Sequence, residues 1–278
     1  VQPWRAHARS AGLGSLVPTG TTDAKIFEIQ RRVHEIVTWK PEPISRSPRE
    51  LDVLLAGGEA DALEKALLMS ALFEAGGIEA QVALSKRGLG EDLLDDFADG
   101  EAIDHALVYL PGRDVFIDVT DRFVPPGELS VPDQGRRVLL LEGGGGRLAQ
   151  TPASDARRNR YREARVLDLI QSPELTFFEQ TTAEGAIEAR LRDRFTTEGR
   201  DDVRRYLGEY LHSSYRGGRL EDLQLSGLSE VAQPFSIELA GRGGGLVQTE
   251  GARTTVFVSA PVLFTWLPKP LRDATLAR

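Results

Sequence analysis

The sequence predicts a protein of the α+β class, in which several helices come first and an antiparallel sheet follows. Apolar residues recur at helical spacing over 23–39 and 61–75, whereas from residue 78 onward they alternate with polar residues or form short runs, as in strands. Because the helices precede the strands instead of alternating with them, we do not expect a parallel β/α sheet. The 278 residues, 41% of them hydrophobic, are enough for one large domain or two of moderate size.

The first two predicted helices differ in length. Apolar positions three or four residues apart predict an amphipathic helix over 23–39, with Thr22 as its N-cap and Trp39 at its end. A Pro-rich segment follows, and a short helix is predicted to begin at Pro48, since proline is favoured in the first turn of a helix. The glycine pair at 57–58 is expected to end it.

The third predicted helix, over 61–75, is apolar on nearly every side, which is typical of a helix buried in a core. Asp61 and Glu64 have the spacing of a capping box, in which each side chain accepts a hydrogen bond from the backbone of the other residue. The glycine pair at 76–77 provides a C-terminal stop. Both ends of this helix are therefore well defined by the sequence.

Strands follow, and a short loop joins two of them as a hairpin. The predicted strands of the first domain are 78–84, 105–110, 115–119 and 137–141. The loop length sets a register in which Asp118 faces Leu107, and this places His105 diagonally beside Asp118 on one face of the sheet. An imidazole beside a carboxylate is what general-base catalysis requires, although a structural hydrogen bond is the commoner role of such a pair.

A linker near residue 150 is predicted to separate two domains, 1–150 and 151–278, because glycine-rich and Thr-Pro segments occur there. The second domain is expected to be an all-β, sandwich-like domain with one helix over 199–213. Its strands are predicted at 164–170, 175–180, 185–195, 220–225, 235–239 and 254–259. The strand over 185–195 depends on an alternation of apolar and charged residues.

Several segments of the first domain resemble the bacterial transglutaminase-like superfamily. DALEKALL at 61–68 and EAGGIEA at 74–80 are similar to its catalytic helix, IDHALV at 103–108 to its histidine strand, and FIDVT at 116–120 to its aspartate strand. The resemblance covers about 22–150. The remainder of the chain resembles a β-sandwich domain of unknown function that often accompanies such cores.

This resemblance implies a papain-like core, with helices packed on an antiparallel sheet. In such a core a cysteine at the start of the buried helix attacks an amide, a histidine takes the thiol proton and an aspartate orients the histidine. The positions that match this triad are Ala62, His105 and Asp118. The chain contains no cysteine, and a methyl group cannot act as a nucleophile, so the thiol reaction is impossible with this sequence.

Three functional hypotheses follow. The family pattern is also altered at Ala60, Glu64 and Val119, which favours natural loss of activity. The protein would then be a pseudoenzyme whose cleft binds or scaffolds a peptide or protein partner. The alternative is a cysteine amidase, protease or acyltransferase inactivated by a Cys-to-Ala substitution at position 62. A structural module with no ligand in the cleft is the third hypothesis.

Composition narrows the possible partners. The net charge of −8 argues against binding to nucleic acid or anionic membranes, and no apolar run reaches the roughly 18 residues of a membrane span. We expect no metal and no cofactor, because neither paired ligand spacing nor a phosphate-binding glycine motif is present. Family habit predicts an extracytoplasmic protein, periplasmic or secreted. The start at Val1 indicates a processed form or a piece of a longer protein, and we expect additional domains in that longer chain.

Overall fold

The computed structural model describes residues 13–87, 92–93, 102–153, 155–168, 174–231 and 233–257, and these form two compact units. The described parts of the first unit lie within Val1–Arg160, Glu184–Arg190 and Glu230–Gln233. Those of the second lie within Tyr161–Ala183, Leu191–Ser229 and Pro234–Arg278. Helices combine with antiparallel sheets, which confirms the predicted α+β class.

The helices of the first unit precede its main sheet. They are α1 (Thr22–Ile36), α2 (Leu51–Gly57) and α3 (Ala62–Ala75). The N-cap of α1 is Thr21 rather than the predicted Thr22, because the Thr21 side chain accepts a hydrogen bond from the Ala24 amide. Helix α1 also ends before Trp39, which lies in a short parallel strand pair, β1 (Thr38–Trp39) with β2 (Glu59–Ala60).

Helix α3 is the centre of the first core. The predicted capping box is confirmed, since the Asp61 side chain accepts from the Glu64 amide and the Glu64 side chain accepts from the Asp61 amide. Apolar side chains are buried all around the helix, as the sequence predicts. Helix α3 packs against α1 on one side and against the main sheet on the other.

The main sheet of the first unit is antiparallel, with the strand order β5-β4-β3-β6-β7. Its strands are β3 (Gln81–Ser85), β4 (His105–Leu110), β5 (Val115–Asp118), β6 (Arg137–Glu142) and β7 (Gly145–Gln150). The predicted hairpin register is confirmed, since Leu107 pairs with Asp118. Strand β7 was not predicted, because it begins with two glycines and its residues are mostly exposed.

The second unit is built on a four-stranded antiparallel sheet with the order β10-β11-β9-β8. Its strands are β8 (Arg160–Asp168), β9 (Thr176–Glu184), β10 (Arg219–Ser226) and β11 (Ser236–Arg242). The hairpin of β12 (Val247–Glu250) and β13 (Arg253–Val256) follows. Two helices, α4 (Ala186–Thr197) and α5 (Arg200–Ser214), come between β9 and β10, and the first residues of α4, up to Arg190, belong to the first unit.

The strand predicted over 185–195 is wrong, because this segment forms helix α4. The alternation included alanines, which favour helices, and Leu191 and Phe195 lie four residues apart on one buried helical stripe. Gly185, with a φ of +71°, separates the helix from β9. In the described residues, helices α4 and α5, rather than a second large sheet, lie against the buried face of the four-stranded sheet. The predicted helix over 199–213 corresponds to α5.

Candidate functional site

Ala62 occupies the first position of α3, directly after the N-cap Asp61. Its methyl group is buried, with 3% of the residue exposed. Backbone amides at a helix N-terminus favour negative charge, so a thiolate at this position would be stabilised. The structure therefore places Ala62 at a helix N-terminus, where its methyl group provides no reactive atom.

An ion pair that the sequence did not reveal reinforces this helix start. The Arg49 Nε and Nη2 atoms lie 2.9 and 2.6 Å from the two oxygens of the buried Glu64 carboxylate. The Arg49 amide also donates to Glu64, at 3.0 Å. Burial opposes ionisation, but Arg49 outweighs it and lowers the pKa of Glu64. The Glu64 side chain thus connects α3 to the segment that precedes α2.

His105 and Asp118 come together as the hairpin predicts. His105 begins β4 and Asp118 ends β5, and His105 Nε2 lies 3.8 Å from Asp118 Oδ1. Both residues are buried, with 2% and 0% of their surfaces exposed. Because Nε2 faces the carboxylate, Nδ1 is the ring nitrogen that a catalytic mechanism would use on a nucleophile. At this distance the two groups are close but make no hydrogen bond in the described structure.

Asp118 is held as a carboxylate by its surroundings. Its Oδ1 accepts hydrogen bonds from the Thr120 amide and hydroxyl, both at 2.8 Å, and from the Asp121 amide at 3.3 Å. Burial alone would raise its pKa, but His105, Arg87 and the Thr120 amide together hold the pKa of Asp118 well below its usual range. Asp118 is therefore ionised at neutral pH.

A second carboxylate, Asp133, completes the cluster and was not predicted from the sequence. It belongs to a 3-10 turn, Val131–Asp133, and its Oδ1 lies 3.6 Å from His105 Nε2. Arg87 lies between the two acids, with Nε 3.1 Å from Asp133 Oδ2 and Nη2 3.6 Å from Asp118 Oδ2. Ser130 donates to Asp133 and accepts from Arg87. We call Arg87, His105, Asp118 and Asp133 the buried acid cluster.

The two acids of this cluster differ in their ionisation. Burial, with the Asp118 charge adding to it, raises the pKa of Asp133 above its usual value, in spite of Arg87 and Ser130. Two carboxylates this close push their pKa values apart. One guanidinium faces both carboxylates, and a proton on Asp133 balances these three charges.

His105, Asp118 and Asp133 are the residues that could hold a metal ion in the described part of the chain, with ligand atoms within 4.8 Å of one another. However, Asp118 Oδ1 already accepts three hydrogen bonds, and the remaining oxygen faces Arg87. A guanidinium next to both carboxylates opposes a second cation. These contacts fit charge compensation by Arg87 better than metal binding.

A buried lysine lies near the cluster. Lys65 is 1% exposed, its Nζ is 3.1 Å from His34 Nδ1, and Asp118 is close enough to affect its pKa. Burial lowers the pKa of Lys65 to about 8, although the Asp118 charge opposes this shift. Burial and the Lys65 charge lower the pKa of His34 to about 3, so His34 is neutral at physiological pH.

Two serines could in principle replace the missing thiol, but neither is arranged to do so. Ser85 is the cross-strand partner of His105 and Ser70 lies two turns into α3, and both are buried. In the described structure neither hydroxyl makes a hydrogen bond. An activated nucleophile requires a base within hydrogen-bond reach and access for the substrate. Neither serine hydroxyl is therefore paired with a base in the described structure.

Comparisons with known proteins do not identify a family for this chain. No family model matches the chain, and no curated protein matches it either. Among solved structures it is similar to a protein described as a "putative protease" from Parabacteroides distasonis, at 14% identity and a TM-score of 0.40. The match covers 87% of this chain and 52% of that protein, so the chain spans about half of the protein's length. A likeness at this level does not establish a shared fold or function.

Among the described residues, no helix is both long enough and apolar enough to cross a bilayer.

Proposed function

We propose that this chain is a non-catalytic protein of the transglutaminase-like superfamily that binds or scaffolds a peptide or protein partner. The observation that carries the proposal is Ala62, a methyl group at a helix N-terminus, at the position that the resemblance assigns to the nucleophile. An extracytoplasmic location and further domains in a longer chain belong to the same proposal.

The surroundings of His105 support a non-catalytic role. A catalytic imidazole must return its proton to the leaving group, and this requires one orienting carboxylate and a ring that the substrate can reach. Here Nε2 faces two carboxylates, and 2% of the residue is exposed. Such an arrangement fits charge compensation within the buried acid cluster, so a partner would contact the half-buried Leu63 instead of the triad positions.

The second candidate is a cysteine amidase, protease or acyltransferase in which residue 62 has been changed from Cys to Ala. The capping box at Asp61 and the orientation of His105 by Asp118 favour it, since both are what a thiolate at position 62 would need. The two candidates make different predictions for one substitution, Ala62→Cys.

The experiment compares Ala62→Cys with Ala75→Cys, an exposed position at the other end of the same helix. Because the chain has no cysteine, each variant contains a single thiol. Under our proposal the Ala62→Cys variant turns over no amide substrate, even where its thiol is alkylated by iodoacetamide faster than the control thiol, because Ala60, Glu64 and Val119 also depart from the family pattern. An enzyme would show faster alkylation that titrates below a thiol pKa of about 8.5, with amide turnover that His105→Ala abolishes. That turnover would overturn the proposal.

Binding is tested separately by selecting displayed random peptides on the unmodified chain. We expect a consensus peptide whose affinity falls at least about tenfold in Leu63→Arg, because this charge would be placed beside Ala62. Val53→Arg, at an exposed position of α2, is the matched control and should bind normally. Failure to enrich any peptide, or equal loss in both variants, would contradict a binding role.

A further inference from the structure

The second unit contains a cavity of about 360 Å³ between its four-stranded sheet and helices α4 and α5. This volume is within the range of small-molecule sites in proteins, roughly 300–1,000 Å³. Side chains from β8, β9 and β11 form one wall, and side chains from both helices form the other. All of its lining residues belong to the second unit.

The walls of the cavity are aromatic and acidic. Tyr161, Phe195, Tyr206 and Tyr210 line it together with aliphatic side chains. Its ionisable lining groups other than tyrosine are two carboxylates, the buried Glu179 and the exposed Glu209, and none of the described lining residues is basic. The lining itself therefore favours cations over anions, although the guanidinium groups of Arg165 and Arg194 contact Glu179 and Tyr206.

At the floor of the cavity, two carboxylates are paired with one arginine. Arg165 is shared by two carboxylates, with Nε 3.0 Å from Glu179 and Nη2 2.5 Å from Glu163. The other partners of Glu179 are the hydroxyls of Tyr210 and Tyr215, which donate to it at 2.8 Å each. Within these described contacts, two carboxylates therefore face one guanidinium.

The pKa values of Glu179 and the neighbouring tyrosines are raised, as expected where two carboxylates share one guanidinium. Burial, followed by the Glu163 charge, raises the pKa of Glu179 in spite of Arg165 and the two tyrosines. Burial and the Glu179 charge raise the pKa of Tyr210 and Tyr215 above the usual range, and burial raises the pKa of Tyr161 to about 12. A bound cation would favour the ionised form of Glu179 and would relieve this charge repulsion.

One aromatic ring of the wall already contacts a cation. The guanidinium carbon of Arg194 lies 3.5 Å from the centroid of the Tyr206 ring. Because Arg194 occupies this face of the Tyr206 ring, a bound cation would use its other face and the rings of Tyr161 and Tyr210. The tyrosine rings and Glu179 thus supply the two features by which proteins recognise organic ammonium ions.

We propose that this cavity binds a small organic cation of the ammonium class, with the rings of Tyr161, Tyr206 and Tyr210 around the charged group. Glu179 supplies a counter-charge at the floor and Glu209 a second one at the exposed edge. This site belongs to the second unit and does not depend on the function proposed for Ala62 and His105.

The first test compares choline with its neutral isostere 3,3-dimethylbutan-1-ol on the full chain by isothermal titration calorimetry. The two molecules have the same shape, so a difference between them measures the charge. We expect choline to bind and the isostere to bind at least about tenfold more weakly, since tenfold is 1.4 kcal/mol. Equal binding of the two, or no binding of choline up to about 10 mM, would overturn the proposal.

The second test localises the binding with variants at exposed residues of the cavity wall. Glu209→Gln should weaken choline binding about three- to fivefold, and Ser213→Trp should abolish it by filling the cavity edge. Asp222→Asn removes an exposed carboxylate of the same unit that does not line the cavity, so it should leave the affinity unchanged. Thermal unfolding confirms that each variant is folded. If choline binds both cavity variants normally, it binds elsewhere and the assignment is wrong.

Discussion

Each unit of this chain places two carboxylates against a single arginine, but the surroundings of the two clusters differ. In the first unit Asp118 and Asp133 face Arg87, and both carboxylates are completely buried. In the second unit Glu163 and Glu179 face Arg165 beside a cavity of about 360 Å³. A closed acid pair must find its compensating charge within the protein, whereas an acid that lines a cavity can take it from a ligand.

The largest expected difference between the two clusters is in the loss of unfolding free energy when the arginine of each is removed. Arg87→Met should lower the free energy of unfolding by about 3 kcal/mol, because it leaves two buried carboxylates without a cation. Arg165→Met should lower it by about 1–2 kcal/mol, since water in the cavity can solvate Glu179. Urea unfolding at pH 7 measures both values.

The surface pair Arg113–Asp23, at 2.8 Å, supplies the control for these two variants. Arg113→Met should change the free energy of unfolding by less than about 1 kcal/mol, because both side chains are exposed. A loss in Arg165→Met as large as that in Arg87→Met would contradict the distinction between a closed and an open cluster.

The pH dependence of unfolding in acid tests the burial of His34 in the first unit. Its pKa in the folded protein is about 3, below the usual 6.5, so its contribution to stability is present above pH 6.5 and is lost as the pH falls toward 3. The free energy of unfolding should therefore fall by about 1.4 kcal/mol per pH unit between pH 6 and 4 through this residue. Comparing the unmodified chain with His34→Leu isolates that slope. His212→Gln, at an exposed histidine, should leave the slope intact.

Lys65 should make the free energy of unfolding depend on pH in the alkaline range. Its pKa in the folded protein is about 8, below the usual 10.5, so its contribution is complete above pH 10.5 and is lost as the pH falls through 8. The unmodified chain should gain up to about 1.4 kcal/mol per pH unit relative to Lys65→Met between pH 8 and 10. Chemical denaturation at several pH values measures the difference. A constant difference across this range would show that Lys65 is not charged and buried as described.

The smallest effect is expected at Ser85. Its hydroxyl is buried beside His105 and makes no hydrogen bond in the described structure. Ser85→Ala should therefore leave the stability unchanged or raise it by about 1 kcal/mol. Thr120→Val is the informative contrast, because Thr120 Oγ1 donates to Asp118 and its loss should destabilise the protein by about 1–2 kcal/mol. Equal effects of the two substitutions would place Ser85 inside the hydrogen-bonded network.

The sequence correctly predicted those features that depend on short-range patterns. The cap and burial of α3 follow from Asp61, Glu64 and the apolar residues between the glycines, and these are contacts within one helix. The hairpin register that joins His105 to Asp118 follows from a short loop between alternating residues. Local patterns failed where they were ambiguous. Helix α4 was predicted as a strand, and the glycine-rich β7 was not recognised as one.

The sequence by itself determined that no thiol can act at position 62 and that an imidazole and a carboxylate share one hairpin face, because composition and short-range spacing are sufficient for both conclusions. The tertiary structure alone placed Asp133 and Arg87 around His105, and Glu163, Glu179 and Arg165 around a cavity. Residues in these clusters come from different strands and turns, so no periodicity in the sequence connects them. Their charges, burial and pKa values depend on distances that exist only after the chain has folded.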